Sequence, residues 1–176
     1  MVLLVSMILV LLILSFLRIS AVEFVQPVAN KMHLLCLQKL PESAGSLPEL
    51  KALVCAENFS NLAEAQLYIT TGLIHLFVVS GAHLVILEQL LISLNFFERK
   101  NKKIIFLFLI SYGFLCNLNP PVSRCLVSYG LNFYLGSKNI KWPAHFKALD
   151  VGLLTLMMSP GWILSLSLQM SWIASL

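Results

Sequence analysis

Apolar residues fall in long blocks along this chain, separated by short polar or basic breaks. Met1 to Leu17 carries no charge and, continued by Ile19 to Val22, approaches the ~20 residues that a membrane-spanning helix needs. No Lys or Arg precedes this block and no small-x-small site follows it, so an uncleaved anchor is preferred to a cleaved signal. The second block runs from Tyr68 to Phe97 with Glu88 as its one formal charge, and stops at Glu98-Arg99-Lys100-Asn101-Lys102-Lys103. A third, Ile104 to Leu118, breaks at Asn119-Pro120-Pro121 and resumes as Val122 to Gly136. After a loop with Lys138, Lys141 and Lys147 come Val151 to Met158, a Ser159-Pro160-Gly161 break, and Trp162 to Leu176.

The pattern predicts an all-α, polytopic membrane protein with about five to six transmembrane or re-entrant helices. Three regions follow: an anchor over 1–22, a short extracytoplasmic segment over 23–67, and a membrane region over 68–176. In the middle region Leu50 to Leu67 fits an amphipathic helix, and Pro41 to Pro48 a turn or linker. The arms Ile104–Leu118 and Val122–Gly136 begin and end at basic loops, so they must go in and come back. Each is roughly 22 Å long as a helix, less than a ~30 Å hydrocarbon core. Two short tilted spans and a re-entrant hairpin turning at Pro120-Pro121 both fit.

Composition agrees. The chain is 59 % hydrophobic and 11 % charged, against about 45–50 % and about 25 % for soluble domains. The net charge is +4, but its placement says more. By the positive-inside rule the two lysine-rich loops are cytoplasmic and the mixed-charge segment over 23–67 lies outside. There Cys36 and Cys55 either pair, as an oxidising compartment permits, or stay as thiols. The four Cys form no CxxC pair, which excludes a zinc ribbon or thioredoxin-type motif. No GxxxxGK[ST] is present, so the chain contains no P-loop.

Polar residues inside apolar blocks are the candidates for chemistry. His75 and His83 lie about 80° apart on a helix, and Gly81 and Glu88 nearly share a face. Such a stripe suits a helix–helix contact, the wall of a wet pathway or, with His75, His83 and Glu88, a metal site, although that spacing matches no known ligand set. Arg124 follows the double proline with no acidic neighbour in sequence. It can snorkel, pair with Glu88, or face a lumen that accepts phosphates, for which a planar, permanently charged fork is suited. Ser165, Ser167, Gln169 and Ser171 spread around a helix rather than lining one stripe.

Three stretches resemble the competence region of ComEC-type DNA-uptake channels. Gly72-Leu73-Ile74-His75-Leu76-Phe77-Val78-Val79-Ser80-Gly81-Ala82-His83 is similar to the family's G-L-x-H-L-x-x-x-S-G-L-H. Pro120-Pro121-Val122-Ser123-Arg124-Cys125 resembles P-S-x-x-R-A, and Pro160-Gly161 followed by Gln169-Met170-Ser171-Trp172 resembles a proline followed by Q-L-S-F. The chain departs from the family at Ala82, Pro121, Cys125 and Asn117, where Leu, a small residue, Ala and Gly are usual. The resemblance covers roughly residues 50–176 and stops about midway through the usual region, so a short or truncated relative is expected. No HxHxDH-type hydrolase cluster accompanies it.

The resemblance implies a multi-pass component of the cytoplasmic membrane that passes single-stranded DNA inward during natural transformation. It implies no enzymatic activity and no cofactor. Gly72, His75, Ser80, Gly81, His83, Pro120, Arg124, Gln169 and Ser171 become the expected pore or motif residues. The expected partners are single-stranded DNA, the lipid bilayer, other proteins of the competence machinery and, as an open alternative, further copies of this chain. A membrane-embedded metal enzyme, or a packing remnant of a larger channel protein, are the competing readings.

Overall fold

The computed structural model describes residues 20–41, 47–57, 62–71, 81–93 and 102–173, together with Leu9 and Ile13. Every regular element among them is helical. In chain order these are α1 (Ala21–Lys39), α2 (Leu47–Cys55), α3 (Leu62–Thr70), α4 (Gly81–Ser93), α5 (Lys102–Leu115), α6 (Pro120–Ser137) and α7 (Ala144–Met158). A 3₁₀ turn (Pro160–Leu164) and α8 (Leu166–Ile173) follow. Most of the expected anchor over 1–22, residues 72–80 and 94–97 of the second apolar block, and residues 98–101 of the charged loop after it lie outside the described residues.

Helix α6 is the centre of the arrangement and packs against α4, α5, α7 and α8. The core between α4, α5 and α6 is built from Leu84, Leu91, Ile105, Leu109, Cys116 and Val122. The turn of the α5–α6 hairpin is Cys116–Asn119, not Pro120-Pro121. The prolines occupy the first two positions of α6, where a missing N–H costs nothing and the fixed φ already suits a helix. The chain reverses instead at Asn117 and Leu118, whose φ values are 54° and 49°. Leu118 N–H donates to Gly113 O at 2.9 Å and Asn117 N–H to Phe114 O at 3.0 Å, which closes α5 in a Schellman motif. Asn is among the side chains that best tolerate this left-handed position.

The same device ends α6. Asn139 has φ 54°, Ile140 N–H donates to Leu135 O at 3.0 Å and Asn139 N–H to Gly136 O at 3.3 Å. The last described block follows the sequence reading: α7 stops at Met158, the chain breaks at Ser159-Pro160-Gly161, and α8 begins after the 3₁₀ turn.

Helices α1 and α2 lie across one end of this bundle. Along α1, Ser20 Oγ donates to Met158 O at the end of α7 (3.3 Å), Gln26 Nε2 to Asn117 Oδ1 in the hairpin turn (2.7 Å), and His33 Nδ1 sits 2.9 Å from Leu115 O. His33 Nε2 lies 2.8 Å from Glu57, and the Tyr112 hydroxyl reaches Leu53 O of α2 at 3.4 Å. A Cys36–Cys55 disulfide joins α1 to α2. The helix expected over Leu50–Leu67 is split: α2 ends at Cys55, Ala56 turns with φ 60°, and α3 begins at Leu62. Described lysines of the two basic loops, Lys103, Lys138, Lys141 and Lys147, gather at the opposite end, where α5 starts, α6 stops and α7 starts.

No helix among the described residues is long and apolar enough to cross a membrane. The longest of the bundle, α6, has 18 residues, about 27 Å of helix, and carries Arg124 and Asn132 along it.

Candidate functional site

Arg124 is one turn into α6, and α8 descends beside it from the Pro160-Gly161 turn. Its Nη1 donates to Ser171 O at 2.6 Å and to Ser171 Oγ at 2.7 Å. The Nη1 end of the fork thus goes to Ser171. Two residues expected from separate stretches, 47 positions apart, meet in one contact. The meeting depends on α7, where Gly152 leaves a notch for the Trp172 indole: a Cβ there would overlap the ring. The indole seats α8 against α7, and α8 then presents Ser171 to the guanidinium. The arrangement places a half-buried cation beside two Ser171 oxygens, and a planar guanidinium of this kind also has the geometry to bind phosphate oxygens.

Gln169 lies on the same helix but faces elsewhere. Its Nε2 donates to Ile163 O at 2.8 Å and braces the 3₁₀ turn. Ser165 and Ser167 bond each other at 2.8 Å on the surface. Pro120 opens α6 and sets the depth at which Arg124 emerges.

The α4 face expected from Gly81 and Glu88 exists and points at α6. A Cβ on Gly81 would lie 3.4 Å from Cys125 Cβ and 3.8 Å from Pro121 O, so the glycine lets the two backbones approach. Two turns on, Glu88 lines a cleft of about 180 Å³ with Cys125, Ser128, Tyr129 and Asn132 of α6, closed by Leu84 and Leu109. The helix contact and the cleft that Glu88 lines therefore lie on the same face at two depths. His83 is half-buried on α4. Gly72, His75 and Ser80 lie outside the described residues. Among the described residues no group of three or more His, Cys, Asp or Glu is placed to hold a metal ion.

Sequence reasoning missed Ser128, Tyr129 and Asn132. A signal was present: Arg124, Ser128 and Asn132 recur every fourth residue, which makes a polar stripe on a helix otherwise rich in apolar and aromatic side chains. It also missed His33 and Gln26, whose bonds to Leu115 O and to Asn117 have no sequence-local pattern.

A family model described as "Competence protein" matches residues 53–176. No curated protein and no solved structure matches the chain.

Proposed function

The chain belongs to the competence protein family, and on that premise we propose that it is an integral component of a channel carrying single-stranded DNA across the cytoplasmic membrane during natural transformation. The observation that carries this reading is the Arg124–Ser171 contact at the junction of α6 and α8. A DNA strand brings one negative charge per nucleotide, and an isolated ion costs tens of kcal/mol to move into an apolar medium. A path across the membrane therefore needs fixed polar groups that replace water at each step. Arg124 supplies the charge, Ser171 a hydroxyl beside it, and Ser128, Tyr129 and Asn132 polar groups in a partly apolar cleft toward the basic end.

The packing supports the expected orientation. The disulfide-bonded cap suits an oxidising exterior. The lysines at the opposite end suit the cytoplasm. Exposed Leu107, Phe108, Leu164 and Leu166 suit a lipid environment along the bundle. Segments this short fit a membrane where other helices bury them, since broken backbone at depth must be enclosed by protein or line a wet cavity.

The test is transformation. In a competent host lacking the native gene, this chain restores entry of labelled DNA into the cytoplasm, and Arg124→Ala does not, although the variant inserts at the same level. Normal uptake with Arg124→Ala would overturn the reading.

A further inference from the structure

Between Glu98 and Asp150 the chain contains no acidic residue. At the basic end this one-signed stretch comes to the surface together with large apolar groups. The α6–α7 connection and its flanks expose Tyr134 (57 %), Ile140 (44 %), Trp142 (38 %) and Phe146 (51 %), interleaved with exposed Lys138 and Lys141. The left-handed turn at Asn139 sets Ile140 between the two lysines. Lys147 is partly tied down, with its Nζ 3.4 Å from Asn132 Oδ1. One to two turns further from this end, α5 exposes Leu107 (67 %) and Phe108 (44 %).

Beyond the apolar belt, the end of the bundle is thus a rim in which aromatic and aliphatic groups are interleaved with lysines. Water alone would leave Trp142, Ile140 and Phe146 uncovered, and a purely apolar partner would strand the ammonium groups. A nucleic-acid strand would satisfy the lysines and stack on the rings but would leave Ile140 and the belt beyond it exposed. A bilayer surface satisfies all three kinds of group: acyl chains against Leu107 and Phe108, the headgroup boundary around Trp142 and Tyr134, and anionic phosphates at the lysines interleaved with them. We propose that this rim is a docking surface for anionic phospholipid, which fixes the basic end of the bundle to the lipid leaflet it faces. The inference rests on the membrane reading above but adds a partner and the residues that select it.

The test uses the full chain reconstituted in phosphatidylcholine vesicles containing a minority of phosphatidylglycerol. Bromine is placed on the acyl chains of one lipid or the other. Quenching that belongs to Trp142 is taken as the difference between the chain and its Trp142→Phe variant. Brominated phosphatidylglycerol is expected to quench Trp142 several-fold more, molecule for molecule, than brominated phosphatidylcholine. The preference is expected to vanish in Lys138→Ala/Lys141→Ala/Lys147→Ala and to fall at high salt, where the Debye length shrinks to about 3 Å. Equal quenching by the two lipids overturns the proposal, as does shielding of Trp142 by an oligothymidylate with no lipid preference. A Leu107→Trp reporter in the Trp142→Phe background separates this failure from that of the membrane reading. If the reporter indole is quenched and Trp142 shows no preference, only the anionic-lipid rim is lost; if neither is quenched, the bundle is not in the bilayer.

Discussion

Arg124 Nη1 serves two acceptors on one residue, so mutation can take the contact apart. Ser171→Ala removes the Oγ bond and keeps the main-chain bond to Ser171 O. Because the donor is charged, it is expected to lower stability by about 1.5–3 kcal/mol, read as a fall in thermal midpoint in detergent, with partial uptake retained. Arg124→Lys keeps a charge but loses the planar fork, so it should insert normally and transport poorly. Gly152 tests how α8 is held. Alanine there gains up to about 1 kcal/mol of helix propensity, but its Cβ would run into the flat edge of the Trp172 ring, which no terminal rotation can move aside. Overpacking of this kind costs about 1–3 kcal/mol, so the loss wins. Gly152→Ala should lower the thermal midpoint and shift Trp172 emission to the red as the indole leaves its notch; unchanged emission would show that α8 is not seated by that residue. The sequence marked Arg124 and Ser171 through separate stretches, yet nothing in a chain of letters joins positions so far apart. Their meeting is set by the turn after α7 and by the missing side chain at Gly152.

At the scale of elements, helices with strong terminal chemistry were legible and those fixed by partners were not. The α5, α6 and α7 runs stand out because their apolar blocks end at Asn, Pro and Gly. The site of the first reversal was misread because Pro120-Pro121 looks like a turn, although proline at the first positions of a helix is equally at home. Helix α1 escaped notice because its apolar and polar residues are poorly segregated and Pro27 lies inside it. It is held by Gln26, His33 and the disulfide rather than by its own pattern. Replacing Cys36 and Cys55 by Ser opens a 19-residue separation and should cost roughly 3 kcal/mol by loop entropy, with greater exchange of α1 and α2 amides. The α2–α3 contact has its own pH dependence. The Tyr68 hydroxyl donates to Glu49 at 2.5 Å and holds its carboxyl below the ordinary value. A lowered folded pKa means that the contribution is present above the unfolded carboxylate range, about 4.3, and is lost as pH falls through the folded value. Amide protection across α2 and α3 should therefore fall on acidification, and Tyr68→Phe should remove that component.

For the whole molecule, the two ends of the bundle make opposite demands on their surroundings, and under the proposed membrane reading both demands call for the same orientation. The cap joins α1 and α2 through a disulfide and lies over the ends of α5 and α7. The other end carries Lys103, Lys138, Lys141 and Lys147 with no acidic residue in the same stretch of sequence. A bundle turned the other way would place the disulfide in a reducing compartment and move the lysines across the membrane against the insertion bias. Both costs have the same sign, so the two signals do not compete. Cysteine placed at exposed positions reads the result directly: Gln38→Cys on the cap and Lys141→Cys on the opposite loop. Cys116 is buried and Cys125 half-buried, so the background reaction should be slow. In intact cells a membrane-impermeant maleimide is expected to label position 38 and to spare position 141 until the membrane is opened. Labelling of both from outside would break the link between the cap and the exterior, and the reverse pattern would turn the proposed direction of DNA passage around, because the strand would then meet the lysine rim before Arg124.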